Sequence, residues 1–255
     1  MSGARGMVPG MPTNPVSAGI QQIDGRRLRW EQHKRDRREA IIDAAIAVVE
    51  ELPPGAEVHV QLIADKAGMG RPAVYRHFED RADLDKAVQA RAFRKLFDEI
   101  DIAQSAEGTL REALDDIIHR YVAWADQHPA LHRLAVREAG SGAGAAAVLN
   151  NTSGLLGPLV LGAAELIGAT LSDDDRAAGD LLVFSVATQV VAAVRLWLSR
   201  PERKPSTEVF SRQLGEIVWA QFDALVTARG GTLDPDQPFS LLFGMLSELP
   251  PKLLW

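Results

Sequence analysis

Between residues 62 and 78 the chain reads Leu-Ile-Ala-Asp-Lys-Ala-Gly-Met-Gly-Arg-Pro-Ala-Val-Tyr-Arg-His-Phe, two short apolar segments that meet at a glycine. Two helices of about two turns each, joined by a tight turn that starts at a glycine, make a helix-turn-helix unit. Ala64 and Ala67 let the two helices approach closely, and Gly68 can take the left-handed backbone conformation that ends the first of them. Pro72 falls in the first turn of the second helix, where a missing N–H is harmless. Val74 and Phe78 anchor that helix on a core, which leaves Arg71, Ala73, Tyr75, Arg76 and His77 to face a groove.

The remainder carries the same helical period. Ile41, Ala44, Ala45, Val48, Val49 and Leu52 form one apolar stripe over about residues 35–51, stopped by Pro53, Pro54 and Gly55. Asp80 and Asp83 can cap a helix whose inner face includes Leu84, Val88, Phe93, Leu96 and Phe97. Thr109 and Glu112 form a capping box for a helix to about Gln127, and Pro129 restarts the chain. Gly140, Gly142 and Gly144 end the next short helix, and a less regular apolar stretch runs to Leu171. Ser172 with Asp175 opens a long helix to about Ser199, and a last one spans about 207–228. No alternation of period two persists over a useful length, so the chain reads as all-α.

The stripe of the first helix, Gly55, Ile63-Ala64, Ala67-Gly68, Val74-Tyr75-Arg76-His77-Phe78 and Arg81-Ala-Asp-Leu84 together resemble the N-terminal domain of TetR-type transcriptional regulators. The resemblance is close over about residues 35–84, and beyond them only the helical layout and length agree. It implies a recognition helix carrying Arg71, Pro72, Ala73 and Tyr75, with Tyr75 and His77 on phosphates and Arg81 where the family usually has a lysine. Two departures stand out. Val58-His59-Val60 occupies the place of the usual Ser or Thr at the start of the first short helix, and Gly70 replaces the usual hydroxyl cap of the recognition helix. Glycine caps at a cost of only a few tenths of a kcal/mol but offers DNA no hydroxyl. Binding then leans more on Arg71, Arg76 and the basic run before the first helix. Arg71 has the reach for a guanine edge and equally for a phosphate.

The charge map fits such a division of labour better than the total does. The chain holds 28 Lys and Arg against 34 Asp and Glu, a net charge of −6, which alone argues against a nucleic-acid partner. Residues 1–84 contain 12 of each sign, so the whole deficit lies after them. Residues 26–38 hold Arg26, Arg27, Arg29, Lys34, Arg35, Arg37 and Arg38 against only Glu31 and Asp36. That run reads either as a solvated helix start or as a surface for phosphates, with Lys34, Arg35 and Arg38 the candidate contacts.

For the C-terminal part the resemblance implies a domain that dimerises and holds a small effector. The helix of residues 180–199 is apolar on more than one side and therefore needs cover on most faces. Pairing it with the last helix, and both with their copies in a second subunit, provides that cover. The expected interface is Phe184, Val191, Val194 and Trp197 with Phe210, Leu214, Ile217 and Phe222. Two-fold symmetry matches a palindromic operator in double-stranded DNA. The pocket is expected where polar residues interrupt apolar ones: Tyr121, Trp124, Arg137, Gln189 and Arg195, with Phe93 and Phe97 as walls. The expected organisation is a flexible basic extension over 1–32, a DNA-binding domain over 33–84, a ligand-binding and dimerisation domain over 85–230 and a tail over 231–255.

Other chemistries find little support. With no cysteine there is no thiolate nucleophile and no Cys-containing metal site. His128 and His132 are four apart with His119 nearby, but no carboxylate completes the usual motif, so no metal is expected. Gly140 to Ala145 imitates a dinucleotide fingerprint without a preceding strand and reads as a loop. No nucleophile elbow or phosphate-binding loop occurs, so neither an enzyme nor a cofactor is expected. Residues 1–20 lack the apolar run of a signal peptide. Leu181 to Val194, 14 residues, is too short for a span of about 20 and reads as a buried helix, so a cytoplasmic protein is expected. Phe239, Leu242, Phe243, Leu246 and Leu249 share one face of a short helix that packs on the body or a partner. The competing class is a helical ligand-binding or interaction protein that does not touch DNA.

Overall fold

The stripes and caps fold as helices in the computed structural model, which describes residues 15–53, 56–100, 107–136 and 145–240. In chain order these are α1 (Pro15–Glu51), α2 (Val60–Lys66), α3 (Arg71–Val74), α4 (Arg81–Ile100), α5 (Leu110–Gln127), α6 (Pro129–Ala135), α7 (Ala145–Leu166), α8 (Asp173–Leu198) and α9 (Thr207–Thr227). No named strand occurs among the described residues; only an isolated bridge joins Thr109 to Pro238. The fold is all-α, with a helix-turn-helix unit followed by a helical body.

In the first unit α2 and α3 rest on α1 and α4. Ile41, Ala45, Ile63, Ala64, Val74, Phe78 and Leu84 are buried in one cluster, the apolar faces that the helical spacing marked. Gly68 adopts φ +66°, so the turn between α2 and α3 uses the left-handed conformation that only glycine takes cheaply. Asp80 accepts a hydrogen bond from the Asp83 backbone N–H at 2.8 Å, which caps α4, and Asp83 accepts one from Glu79 N–H at 3.2 Å.

The body pairs α5 with α9 and α7 with α8. The expected capping boxes form at both helix starts: Thr109 with Glu112 for α5, and Ser172 with Asp175 for α8. At the α7–α8 crossing, Gly157 and Gly179 permit near-backbone contact; a Cβ on Gly157 would lie 2.7 Å from the Asp180 nitrogen. The 231–239 segment returns along the start of α5, with Leu110 N–H donating to the Gln237 carbonyl at 2.7 Å and Phe239 N–H to the Gly108 carbonyl at 2.9 Å.

Three expectations change. The chain is helical from Pro15, not from about Arg35, so residues 15–32 continue α1. Glu, Gln, Arg and Leu between residues 20 and 38 are good helix formers, and a proline at the first helical position is preorganised for the turn. The stretch expected to be less regular is the helix α7, with Pro158 inside it. Finally, α8 is no buried helix: only Gly179, Val194 and Trp197 are fully covered. It is long and apolar enough, by length and composition, to cross a membrane. The glycine-rich loop at 140–144 and the apolar residues 242–249 lie outside the described residues.

Candidate nucleic-acid interface

The outward face of the helix-turn-helix is built by what its inward face cannot release. Val74 and Phe78 are buried, so the residues between and before them turn out. Arg71, Pro72, Tyr75 and Arg76 are exposed, while Ala73 and His77 are half-buried. Tyr75 leaves 38% of its surface open, with the Arg71 guanidinium 5.8 Å from its ring centre. The two departures noted above persist in space: neither Gly70 before α3 nor His59 before α2 supplies a side-chain cap.

Beside this tip, α1 adds positive charge. Burial first, and then the charges of Lys34, Arg76, Arg37 and Arg38, push the His77 pKa below its ordinary value, so the ring is neutral at pH 7. Its Nδ1 is buried without a hydrogen-bond partner. Lys34, Arg35 and Arg37 are exposed and form no ion pair among the described residues; Lys34 lies 5.8 Å from the Trp30 ring, itself exposed. Arg37 was missed among the candidate contacts, although it belongs to the same run.

Arg38 and Arg81 have partners within the chain. Arg38 donates to Asp83 at 3.2 Å and stacks 4.3 Å above the Phe78 ring, tying α1 to α4 across the end of the turn. Arg81 donates through Nε to Asp85 at 2.8 Å and through Nη1 to the Val58 carbonyl at 2.6 Å, which pins α4 beneath the start of α2. Acidic and carbonyl acceptors within the chain thus engage part of both guanidinium groups, which remain partly exposed.

Helix α4 links this unit to the body. Buried Gln89 donates to the Leu134 and Ala135 carbonyls at the end of α6, at 3.3 and 2.9 Å. Arg91 pairs with Glu39 and Asp43 of α1, and His128 Nδ1 lies 3.0 Å from the Glu50 carboxylate.

Within the body a cavity of about 280 Å³ opens between α5, α7, α8 and α9. Leu114 and Ile117 of α5, Val160 of α7, Leu182 of α8 and Phe222 of α9 line it, with Leu233 and Phe239 closing one end. None of the expected pocket residues lines this cavity. Phe93, Tyr121 and Trp124 are core, and Phe97 packs against it. Tyr121 hydroxyl and His132 Nε2 are 2.7 Å apart, a buried pair in which burial pushes the tyrosine pKa up and the histidine down to about 4. Gln189 accepts from Gln221 at 2.8 Å between α8 and α9, Arg195 is exposed, and Arg137 lies outside the described residues. Tyr121 and Gln189, two of the polar residues that interrupt the apolar pattern, serve internal hydrogen bonds. The cavity wall carries almost none, so no such signal marks it.

The expected interface also needs correction. Val194, Trp197 and Leu214 are buried within the chain itself, Trp197 stacking on Phe210 at 5.2 Å and donating to the Pro205 carbonyl at 2.9 Å. Phe222 faces the cavity, and Phe184, Val191 and Phe210 are half-buried. Only Ile217 is exposed, at 47%. The open face of α8 instead runs Leu181, Ser185, Thr188, Ala192, Leu196, and that of α9 runs Gln213, Ile217, Ala220, Ala224, all at helical spacing. His119 lies 3.2 Å from Ser211, His128 meets Glu50 and His132 meets Tyr121, so the three histidines do not converge; no metal-binding group occurs among the described residues.

Comparison with known proteins bears on the same face. Residues 41–88 match the family described as bacterial regulatory proteins, tetR family. An HTH-type transcriptional regulator of Mycobacterium tuberculosis is 27% identical over 222 residues, 86% of this chain and 91% of that protein. Nucleoid occlusion factor SlmA of Marinomonas sp. is 28% identical over 109 residues, 43% of this chain and 55% of the relative. The fold is similar to a tetR-family transcriptional regulator from Streptomyces coelicolor, with a TM-score of 0.59 at 24% identity over 83% of this chain and 96% of the other. It is also similar to the fatty acid degradation regulator FadR from Bacillus halodurans, with a TM-score of 0.55 at 19% identity over 71% and 94% of the two chains.

Proposed function

The chain belongs to the TetR family of bacterial regulatory proteins, and on that premise we propose that it represses transcription as a homodimer on a palindromic operator and lets go when a small molecule fills the body. The observation that carries this reading is the outward tip of Arg71, Tyr75 and Arg76 beside the unpaired cations of α1. A basic, aromatic surface of that kind has no role in a core and carries the donor types that contact phosphates and base edges.

In this reading Arg71, Pro72, Ala73 and Tyr75 enter the major groove, and Arg76, His77, Lys34, Arg35 and Arg37 meet the backbone. The helical continuation of α1 to Pro15 places Arg26, Arg27 and Arg29 on a continuous support. These residues lengthen the electrostatic contact outward from the half-site. The partner subunit covers the open faces of α8 and α9, which accounts for an apolar helix half-covered in the single chain. A ligand acts by moving α4, held by Gln89 to α6 and by Arg91 to α1. It does so only if it binds the state with the wrong separation of recognition helices more tightly.

The test is fluorescence anisotropy on duplexes selected by the full chain from a random pool. Arg71→Ala should weaken binding by about 1–3 kcal/mol and relax preference at one base position per half-site. A uniform loss over all sequences would make Arg71 a phosphate ligand. Removing residues 1–29 should flatten the salt dependence, by about 0.9 in log–log slope for each lost phosphate contact. No selectable duplex at low salt would leave the non-DNA-binding class standing.

A further inference from the structure

We propose that the cavity between α5, α7, α8 and α9 receives an uncharged hydrophobic molecule of roughly nine non-hydrogen atoms, taking about 30 Å³ for each water-sized group, such as a medium-chain alcohol, and that it rejects the corresponding acid and amine. The size follows from the 280 Å³ of open volume. The chemistry follows from the wall. Of the 21 described lining residues, Arg229 alone carries a charge, and Trp219 alone offers another polar side-chain atom; the others are glycine, alanine, aliphatic residues and phenylalanine.

Arg229 already uses three of its five N–H donors within the chain. Its Nε and Nη2 both donate to one oxygen of Asp175, and its Nη1 donates to the Leu225 carbonyl at 2.8 Å. The other Asp175 oxygen accepts from the Ser172 backbone N–H at 2.9 Å and the Ser172 hydroxyl at 2.7 Å. Asp175 thus serves two structures at once, the capping box of α8 and the neutralisation of Arg229. A carboxylate entering the cavity would have to share Arg229 with Asp175, setting two like charges on one guanidinium. An ammonium finds no acceptor side chain on the described wall, and the Asp175 carboxylate beside Arg229 is already paired. A charge left unpaired in such surroundings costs several kcal/mol, whereas a hydrocarbon chain loses nothing by leaving water.

The regulatory consequence rests on the reading of the chain as a DNA-binding repressor, but binding itself does not. The experiment therefore measures binding in the absence of DNA, by calorimetry on the full chain at pH 7, with 1-octanol, octanoate and octylammonium as probes. Fluorescence of Trp219, which lines the cavity, gives a second readout. The expected result is one saturable 1-octanol site per chain, with a dissociation constant at least tenfold below that of either charged probe. Filling the space with Ala164→Phe, its helicity checked by circular dichroism, should remove that site. Equal or tighter binding of octanoate or octylammonium overturns the proposal, as does the absence of saturable binding by any probe. Binding of 1-octanol only after residues 241–255 are removed would assign the cavity to the chain's own C-terminal apolar residues and overturn it as well. Saturable 1-octanol binding that leaves the selected duplex bound would uphold the ligand class and count against the repressor reading instead.

Discussion

The two ends of this molecule carry function in opposite ways. In the N-terminal unit, the proposed DNA contacts are residues that the fold pushes outward, such as Arg71, Tyr75 and Arg76, and a charged or aromatic residue with no core partner is conspicuous. In the body, the proposed effector site is a space bounded by Leu114, Val160, Leu182 and their neighbours, which look in every respect like core. A surface site announces itself by what it fails to bury. A cavity announces itself by nothing, because an aliphatic side chain beside a void obeys the same pattern as one beside another side chain.

The sharpest way to break the comparison is through the face that joins the two regions into one functional unit. Placing charge at the open apolar positions, with Leu196→Asp and Ile217→Asp together, should abolish dimerisation in sedimentation experiments. Affinity for a two-half-site duplex should then fall by about 10²–10⁴-fold, the advantage lost when two linked contacts become one. Unchanged mass and affinity would place the interface elsewhere.

The body should also be the pH-sensitive region. Burial, and then the charges of Arg133 and Arg195, hold the His132 pKa down to about 4 against an ordinary 6.5. The unfolded chain therefore binds the extra proton first. Stability is at its full value above about pH 6.5 and falls as pH drops towards 4, by on the order of 3 kcal/mol. Urea unfolding at pH 7 and pH 4.5 measures this, and His132→Phe should remove most of the difference. The same variant strands the buried Tyr121 hydroxyl, at about 1–3 kcal/mol at neutral pH. A slope unchanged in the variant would assign the acid sensitivity to other groups.

This pair also illustrates what was legible. The stripe of α1, the glycine turn, the capping boxes at Thr109 and Ser172 and the outward tip of α3 could all be read, because each rests on local spacing and local hydrogen bonds. Tyr121, Trp124 and Gln189 were read as ligand contacts because they are polar or mixed residues among apolar ones. In the fold such residues pair with each other across helices, and that pairing depends on tertiary neighbours which no local pattern contains. Val194, Trp197 and Leu214 were misassigned for a related reason. An apolar helix declares that its faces must be covered but not whether its own chain or a second copy covers each face. Arg38 and Arg81 belong to the basic surface by sequence, and only the fold shows that Asp83, Asp85 and the Val58 carbonyl engage part of their guanidinium groups.

Helix α7 offers an internal control on how closely the body is packed. Gly154 has nothing within 4 Å of an added Cβ, whereas at Gly157 the backbone of Asp180 lies 2.7 Å away. Gly154→Ala should raise stability by up to about 1 kcal/mol through helix propensity alone. Gly157→Ala should lose about 1–3 kcal/mol from forcing α7 and α8 apart, against the same propensity gain. Thermal unfolding of the two variants separates them; equal shifts would mean that the crossing is looser than its geometry.

The smallest effect tests the N-terminal departure from the family pattern. Gly70 caps α3 with φ −78° and ψ 149°, a conformation any residue adopts, and an added Cβ would meet only Pro72 Cδ at 3.7 Å. Gly70→Ser therefore introduces a capping hydroxyl without strain, and should stabilise the chain by a few tenths of a kcal/mol. On DNA the same hydroxyl faces the position where the family pattern places a phosphate contact. Affinity for the selected duplex should rise about threefold, within the range of one added neutral hydrogen bond of roughly 0.5–1.5 kcal/mol. A gain in stability without a gain in affinity would show that α3 approaches the groove through Arg71 and Tyr75, with its first turn held clear of the backbone.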